Sequence, residues 1–364
     1  MVLTVKWHGQ YGPIICIRFG SLKIIALGSH KVTHELLEKR GSNYSSRPKF
    51  LADRVSNGLL PTFLPFREKW KSHHRLHTSL LTLQASQKYQ VVQDVESKQI
   101  DLRARYASSQ IFSLAYGKRM PHGDEPEVRE LEEVMRRILE SISLGEEVFP
   151  NVGALYEAGT DSTAIVLDVF VMACLDAVVG MRMPTFTDLP MLPYVRAIVS
   201  EVFRWRHPSP GGLHHAADED DIYQGFLIPK GTAVVANHFS LDTDESIFDH
   251  PFDFEPDRWI RNPARCRSAL LGLVVVLARD CIWVGTLFLW AYDIGYAYEK
   301  GRRLEVDPWD LTQGIGVRPT PFRASFCVRG EKRHQIISQA WKEAEKDVDV
   351  LLEQVGCRAP MGEA

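Results

Sequence analysis

The chain has 364 residues, is 45% hydrophobic, and nearly balances Lys plus Arg (43) against Asp plus Glu (46) for a net charge of −3. That is enough apolar material for one large domain or two ordinary ones, and the charge balance excludes a global field that would hold nucleic acid or an anionic membrane. A small, mostly apolar substrate fits better.

In chain order, the first ten residues carry Lys6 and His8 and lack the roughly 20 apolar residues of a membrane anchor. Nothing in them is expected to span a bilayer. Ile14 to Leu27 alternates β-branched and apolar positions around Gly20, which predicts two short strands joined by a turn, and His34 to Lys39 begins to read as a helix. Glu68 to Ser86 has helical periodicity with one basic end, and Glu125 to Ile142 is amphipathic and acid-rich. Asp161 to Val179 is a long apolar helix interrupted by Asp168 and Asp176.

Asp188 to Trp205 predicts a further helix, ended by His207-Pro208-Ser209-Pro210-Gly211-Gly212. Ile222 to His238 predicts a hairpin turning at Pro229-Lys230-Gly231. Ala269 to Ala291 is almost wholly apolar, but Arg279 and Asp280 lie near its middle, where each charge would cost about 3 kcal/mol in a bilayer. A buried helix, or a helix plus a loop, is expected there. Arg318 to Val328 reads as extended and the tail from Gln335 as charged and helical. Helices dominate, with a minority of short strands, which excludes a regular βαβ alternation.

Six scattered cysteines, Cys16, Cys174, Cys266, Cys281, Cys327 and Cys357, form no Cys-x-x-Cys pair and follow no signal peptide. They read as reduced intracellular thiols.

Glu201 and Arg204 stand at i and i+3 on one helix face, a spacing that alone marks an ordinary surface ion pair. Their flanks give the pair more meaning. Leu192-Pro193-Tyr194-Val195-Arg196-Ala197 precedes it, Arg206-His207-Pro208 follows, and Phe254-Glu255-Pro256-Asp257-Arg258-Trp259 lies downstream. This ensemble resembles the cytochrome P-450 family, fungal microsomal type. The resemblance implies a mainly α fold with small β hairpins, and a buried structural triad of Glu201, Arg204 and Arg258 in which forked guanidinium groups compensate a carboxylate.

Ala158-Gly159-Thr160-Asp161-Ser162-Thr163 resembles the family's oxygen-activation segment, although Asp161 also suits a helix N-cap. Cleaving dioxygen needs protons delivered inside a pocket that excludes water, so the resemblance gives Asp161 a relay role and Ser162, where the family usually has threonine, a water-holding one. Trp70, with His74 at the family's second cationic position and Arg75 beside it, resembles a clamp on a haem propionate, and His215 falls where the family places another propionate partner.

The family's iron ligand is a cysteine thiolate in a glycine-rich loop before a helix that here is recognisable as Leu277 to Ile294. Counting back without gaps from Ala278 puts Gly272 at the ligand position, within Leu270 to Val276. Codons allowed for those residues, read two nucleotides later, can spell Phe-Gly-Phe-Gly-Arg-Arg, the start of the expected loop. Cys266 is a weak substitute that lacks the flanking glycines, and Cys281 is expected to pack in the core.

The resemblance thus implies a single domain over residues 1–334, shortened near 147–155, 174–176 and 259–277, with a charged helical tail at 335–364. It implies haem as cofactor if the cysteine loop functions, an NADPH cytochrome reductase as partner, and oxidation of a small apolar secondary metabolite. The expected location is the cytoplasm or the periphery of the endoplasmic reticulum. The alternative is a catalytically inactive remnant that acts at most as a binding protein.

Overall fold

Apolar alternation from Ile14 to Leu27 forms two strands in the structure, a computed structural model that describes residues 2–19, 22–49, 61–81, 87–98, 103–131, 133–134, 166–167, 169–170, 183–262, 274–312 and 317–356. Helix α1 (Val2–Tyr11) leads into β1 (Ile14–Phe19) and β2 (Leu22–Leu27), which pair antiparallel from Ile14 opposite Leu27 to Phe19 opposite Leu22. The next segment is helical in pieces: α2 (His30–Thr33), a π-helical turn at His34–Lys39, and α3 (Gly41–Tyr44). Leu36 and Tyr44 from these turns pack with Ile25 and Leu27, so the strand pair gains one covered face.

Then come α4 (Glu68–Leu81), α5 (Gln90–Lys98), α6 (Arg103–Tyr116) and α7 (Pro193–Trp205). Residues 126–131 and 133–134 are helical, within the acid-rich stretch read as a helix. The helix expected from Asp188 instead begins at Pro193. A 3₁₀ segment, Phe186–Met191, precedes it, and Leu192 is non-helical at φ −114° and ψ 63°. The cause is Pro193, whose ring bars the residue before it from the α region while suiting the first helical turn. Asp188 serves the earlier segment, where its Oδ2 accepts from the Thr185 backbone N–H at 2.8 Å.

The hairpin is also placed differently from its sequence reading. Strands β3 (His215–Ala216), β4 (Asp221–Tyr223), β5 (Phe226–Ile228) and β6 (Ala233–Ala236) follow α7. The tight turn joins β4 to β5 through Gln224 and Gly225, at φ 51° and 82°. A two-residue hairpin turn of this kind requires positive φ at both positions, and Pro229, with φ fixed negative, cannot supply it. Pro229 to Thr232 instead carries the chain across to another sheet, in which β6 runs parallel to β2 and antiparallel to β3. That sheet has the order β1-β2-β6-β3.

After α8 (His238–Asp242) and α9 (Asp257–Arg261), the apolar run becomes α10 (Val274–Ala291). Trp283, Leu287 and Trp290 on α10 are fully enclosed, and α10 packs with Phe170, Val195, Ile198, Val199 and Val202 as the largest core cluster. Gly285 permits this approach: a Cβ there would lie 2.7 Å from Phe170 Cζ. Cys281, fully buried, is a core residue as expected. Among the described residues no helix is long and apolar enough to cross a membrane.

Strand β7 (Tyr292–Tyr296) continues from α10, β8 (Tyr298–Glu299) and β9 (Arg302–Arg303) form a small hairpin, and β10 (Ala324–Val328) pairs antiparallel with β7. The tail is helical as α11 (Glu331–Glu343) and α12 (Val348–Val355). Leu351 and Val355 of α12 bury against Val92 and Val95 of α5, with Trp341 of α11 alongside. The architecture is therefore mainly α with small sheets.

Candidate functional site

Helix α7 is amphipathic in an unusual sense, because its buried face includes a charged pair. Glu201 is fully buried and Arg204 nearly so. The Glu201 carboxylate accepts from Arg204 Nε at 2.9 Å and Nη2 at 2.6 Å, a forked pairing across one helical turn. Arg258 Nε, from α9, donates to Oε1 at 3.1 Å, so the structure brings Glu201, Arg204 and Arg258 together.

Two further donors complete the set. The Glu255 backbone N–H donates to Oε1 at 2.9 Å and Trp259 Nε1 to Oε2 at 2.8 Å. Sequence reasoning singles out neither, although both lie in the segment that supplies Arg258. Arg204 also donates to the backbone carbonyls of Asp242, Pro251 and Asp253 at 2.8, 2.7 and 3.1 Å, and Arg258 to that of Asp249 at 2.9 Å. The cluster thus pins the irregular chain between α8 and α9 onto α7. Its groups are occupied by one another, which suits a scaffold and leaves none for chemistry.

Trp70, His74 and Arg75 lie on α4. The Trp70 ring packs on Phe66 at 4.8 Å and stacks on His74 at 4.5 Å, nearly parallel to the latter. Arg75 is exposed, and its Nη2 is 3.5 Å from Ser72 Oγ. His215 is half-buried at the start of β3, its Nδ1 2.8 Å from the Tyr44 carbonyl. Ser46 links the two groups: its carbonyl accepts from Ala216 N at 2.8 Å, and its Oγ from Phe66 N at 3.2 Å.

Arg47, next along, is not singled out by the sequence. Its Nε donates to the Thr62 carbonyl and its Nη1 to the His214 carbonyl, each at 2.9 Å, and it has no carboxylate partner among the described residues. Burial lowers Arg47 to about 10 and, together with the Arg47 charge, lowers His215 to about 4. A lone arginine after two serines gives no sequence sign of such burial. This edge offers a buried cation lacking a counter-charge among the described residues, beside a neutral imidazole, an arrangement suited to an anionic group.

Asp161, Ser162, Cys266 and Gly272 lie outside the described residues.

The family model described as Cytochrome P450 matches residues 2–150 and 171–269 of the chain. The chain is 32% identical to the cytochrome P450 monooxygenase FrzL of a Cladobotryum species, over 96% of its own length and 87% of that protein's. It is also 32% identical to the cytochrome P450 monooxygenase aneD of Aspergillus aculeatus, over 96% and 88% respectively. Among solved structures, a zebrafish cytochrome P450 with abiraterone superimposes with a TM-score of 0.74 at 20% identity, over 90% of this chain and 99% of that one.

Proposed function

Because the chain belongs to the cytochrome P450 family, whose cofactor is haem, we propose that it is a monooxygenase that oxidises or hydroxylates a small apolar organic substrate in secondary-metabolite biosynthesis. The observation that carries this reading is the Glu201–Arg204–Arg258 cluster, assembled in a chain similar over nearly its whole length to named monooxygenases. When bound, haem supplies dioxygen activation, driven by electrons from a separate NADPH-dependent reductase.

The chain's own residues divide the remaining work. Arg47 and His215 on one side, and Trp70, His74 and Arg75 on the other, would hold the cofactor's carboxylates, and the Arg47 charge, with no carboxylate partner among the described residues, supports that fit. Asp161 would pass protons inward and Ser162 would hold a water by its hydroxyl. The core packed around Phe170 and α10 excludes bulk water. Glu201, Arg204 and Arg258 keep the loops around α7 in register. All of this belongs to one domain over residues 1–334, shortened near 147–155, 174–176 and 259–277.

A second reading has its own support. Gly272 falls where the thiolate ligand belongs, and the family match ends at residue 269, directly before Leu270 to Val276. On that reading the chain is a remnant that has lost its iron ligand and acts at most as a binding protein. Expressing the chain with haem, reducing it and adding carbon monoxide separates the two. A strongly red-shifted Soret band reports a thiolate ligand and active chemistry. A folded protein without that band is the remnant.

A further inference from the structure

Two residues beyond Arg204, where α7 ends, Arg206 is only 7% exposed, and it has no carboxylate partner among the described residues. Its Nε donates to the Pro308 carbonyl at 2.9 Å and its Nη1 to the Trp205 carbonyl at 2.7 Å. The Trp205 and Trp309 ring centres lie 3.8 and 3.9 Å from its Cζ, so the indoles occupy the guanidinium faces and leave its edge for hydrogen bonding. On that edge Nη2 is buried and has no partner among the described residues. The same holds for Oδ2 of Asp242, at the end of α8. Both residues line one cavity of about 150 Å³, whose other walls include Val169, Phe239, Leu311 and Val317.

We propose that this cavity binds a small organic monocarboxylate with a planar apolar body, a benzoate-like molecule, whose carboxylate accepts hydrogen bonds from Arg206 beside the Asp242 side chain.

Three physical arguments converge. Buried polar groups in native folds are nearly always hydrogen-bonded, and here two atoms without a partner among the described residues belong to side chains that line one cavity. Among the described residues the Arg206 guanidinium feels the Asp307 charge but forms no salt bridge, so a carboxylate in hydrogen-bond contact would complete its compensation. The volume matches the ring: an apolar cavity of about 150 Å³ admits benzene. Burial lowers Arg206 to about 10, the nearby Arg204 charge adding to the effect and the Asp307 charge opposing it, so it stays charged at neutral pH. Burial raises Asp242 well above the usual carboxylate range against the pull of Arg204, which favours the neutral acid, a form that can donate. Trp309 is 48% exposed, which places the ligand's entrance at the aromatic rim. None of the lining residues belongs to the candidate cofactor edge, so the inference stands whether or not haem is bound.

The test uses the full chain titrated with benzoate, with benzyl alcohol as the uncharged control, followed by calorimetry and by the fluorescence of the flanking tryptophans. Saturable benzoate binding is expected, at least tenfold tighter than for benzyl alcohol and at least tenfold weaker in Arg206→Met. Asp242→Asn keeps a donor and should retain binding while losing the fall-off that the parent shows as Asp242 ionises at high pH. Benzoate-soaked crystals of the unmodified protein give a readout that needs no variant. Density for the ring between Arg206 and Asp242 supports the site. Absence of saturable binding, equal affinity for benzyl alcohol, indifference to Arg206→Met, or ordered water alone in the cavity overturns it.

Discussion

Arg204 and Arg206 leave the same helix two residues apart, both almost wholly buried, and they meet opposite fates. Arg204 engages every guanidinium nitrogen: it forks onto Glu201 and reaches three backbone carbonyls. Arg206 finds two carbonyls, two indole rings and, among the described residues, no carboxylate within salt-bridge distance and no partner for Nη2, in a side chain that lines a cavity. Burial alone therefore does not tell what a charge is for. A charge compensated from within the chain fastens elements to one another, whereas one left uncompensated is held ready for a molecule from outside.

The most severe way to break this contrast is to remove the carboxylate that neutralises the first arginine. Glu201→Ala strands Arg204 and Arg258, and should cost about 3–5 kcal/mol of unfolding free energy in urea titrations. A loss under about 1 kcal/mol would show that the cluster is no fastening at all.

Acid should act on the other side of the contrast. His207, which lines the cavity, stacks on His238 with ring centres 4.2 Å apart, and burial lowers His238 to about 4 and His207 well below its usual value. A depressed folded value means that the unfolded chain binds protons first. The stability contribution is whole above about 6.5 and is lost as pH falls toward 4. For His238 alone the drop is about 3 kcal/mol. Melting curves from pH 7 to 4 should show it, and His238→Phe should flatten them.

The smallest effect belongs to Arg206 itself. Replacing an uncompensated buried charge by an apolar side chain of similar size is often neutral, so Arg206→Met should shift unfolding by less than about 1 kcal/mol. A loss as large as that expected for Glu201→Ala would make Arg206 a second fastening and erase the comparison.

The two regions are unequally legible in the sequence. Glu201 and Arg204 can be read because a spacing of three fixes one helix face, and Arg258 because its proline-rich segment is distinctive. Trp259 and the Glu255 amide escape because their roles exist only once α9 folds against α7. Arg47 and Arg206 escape for a related reason: nothing in a single arginine announces that it will be buried without a salt bridge among the described residues. The hairpin is recognisable but its turn is misplaced, since Pro229-Lys230-Gly231 looks more turn-like than Gln224-Gly225 until the sign of φ decides. The long apolar helix α10 is legible from hydropathy, while its fit against Phe170 depends on Gly285, whose importance is purely tertiary.

The packing of α12 on α5 sets a timetable for the chain's birth. Val92 and Val95 leave the ribosome early, but the side chains that cover them, Leu351 and Val355, are among the later ones made. At roughly 5–20 residues per second, α5 waits on the order of tens of seconds for its cover. Trp283, whose Nε1 donates to Ser97 Oγ at 3.2 Å, arrives only somewhat sooner. The nascent protein therefore carries an apolar strip that stays incompletely covered until α11 and α12 are made.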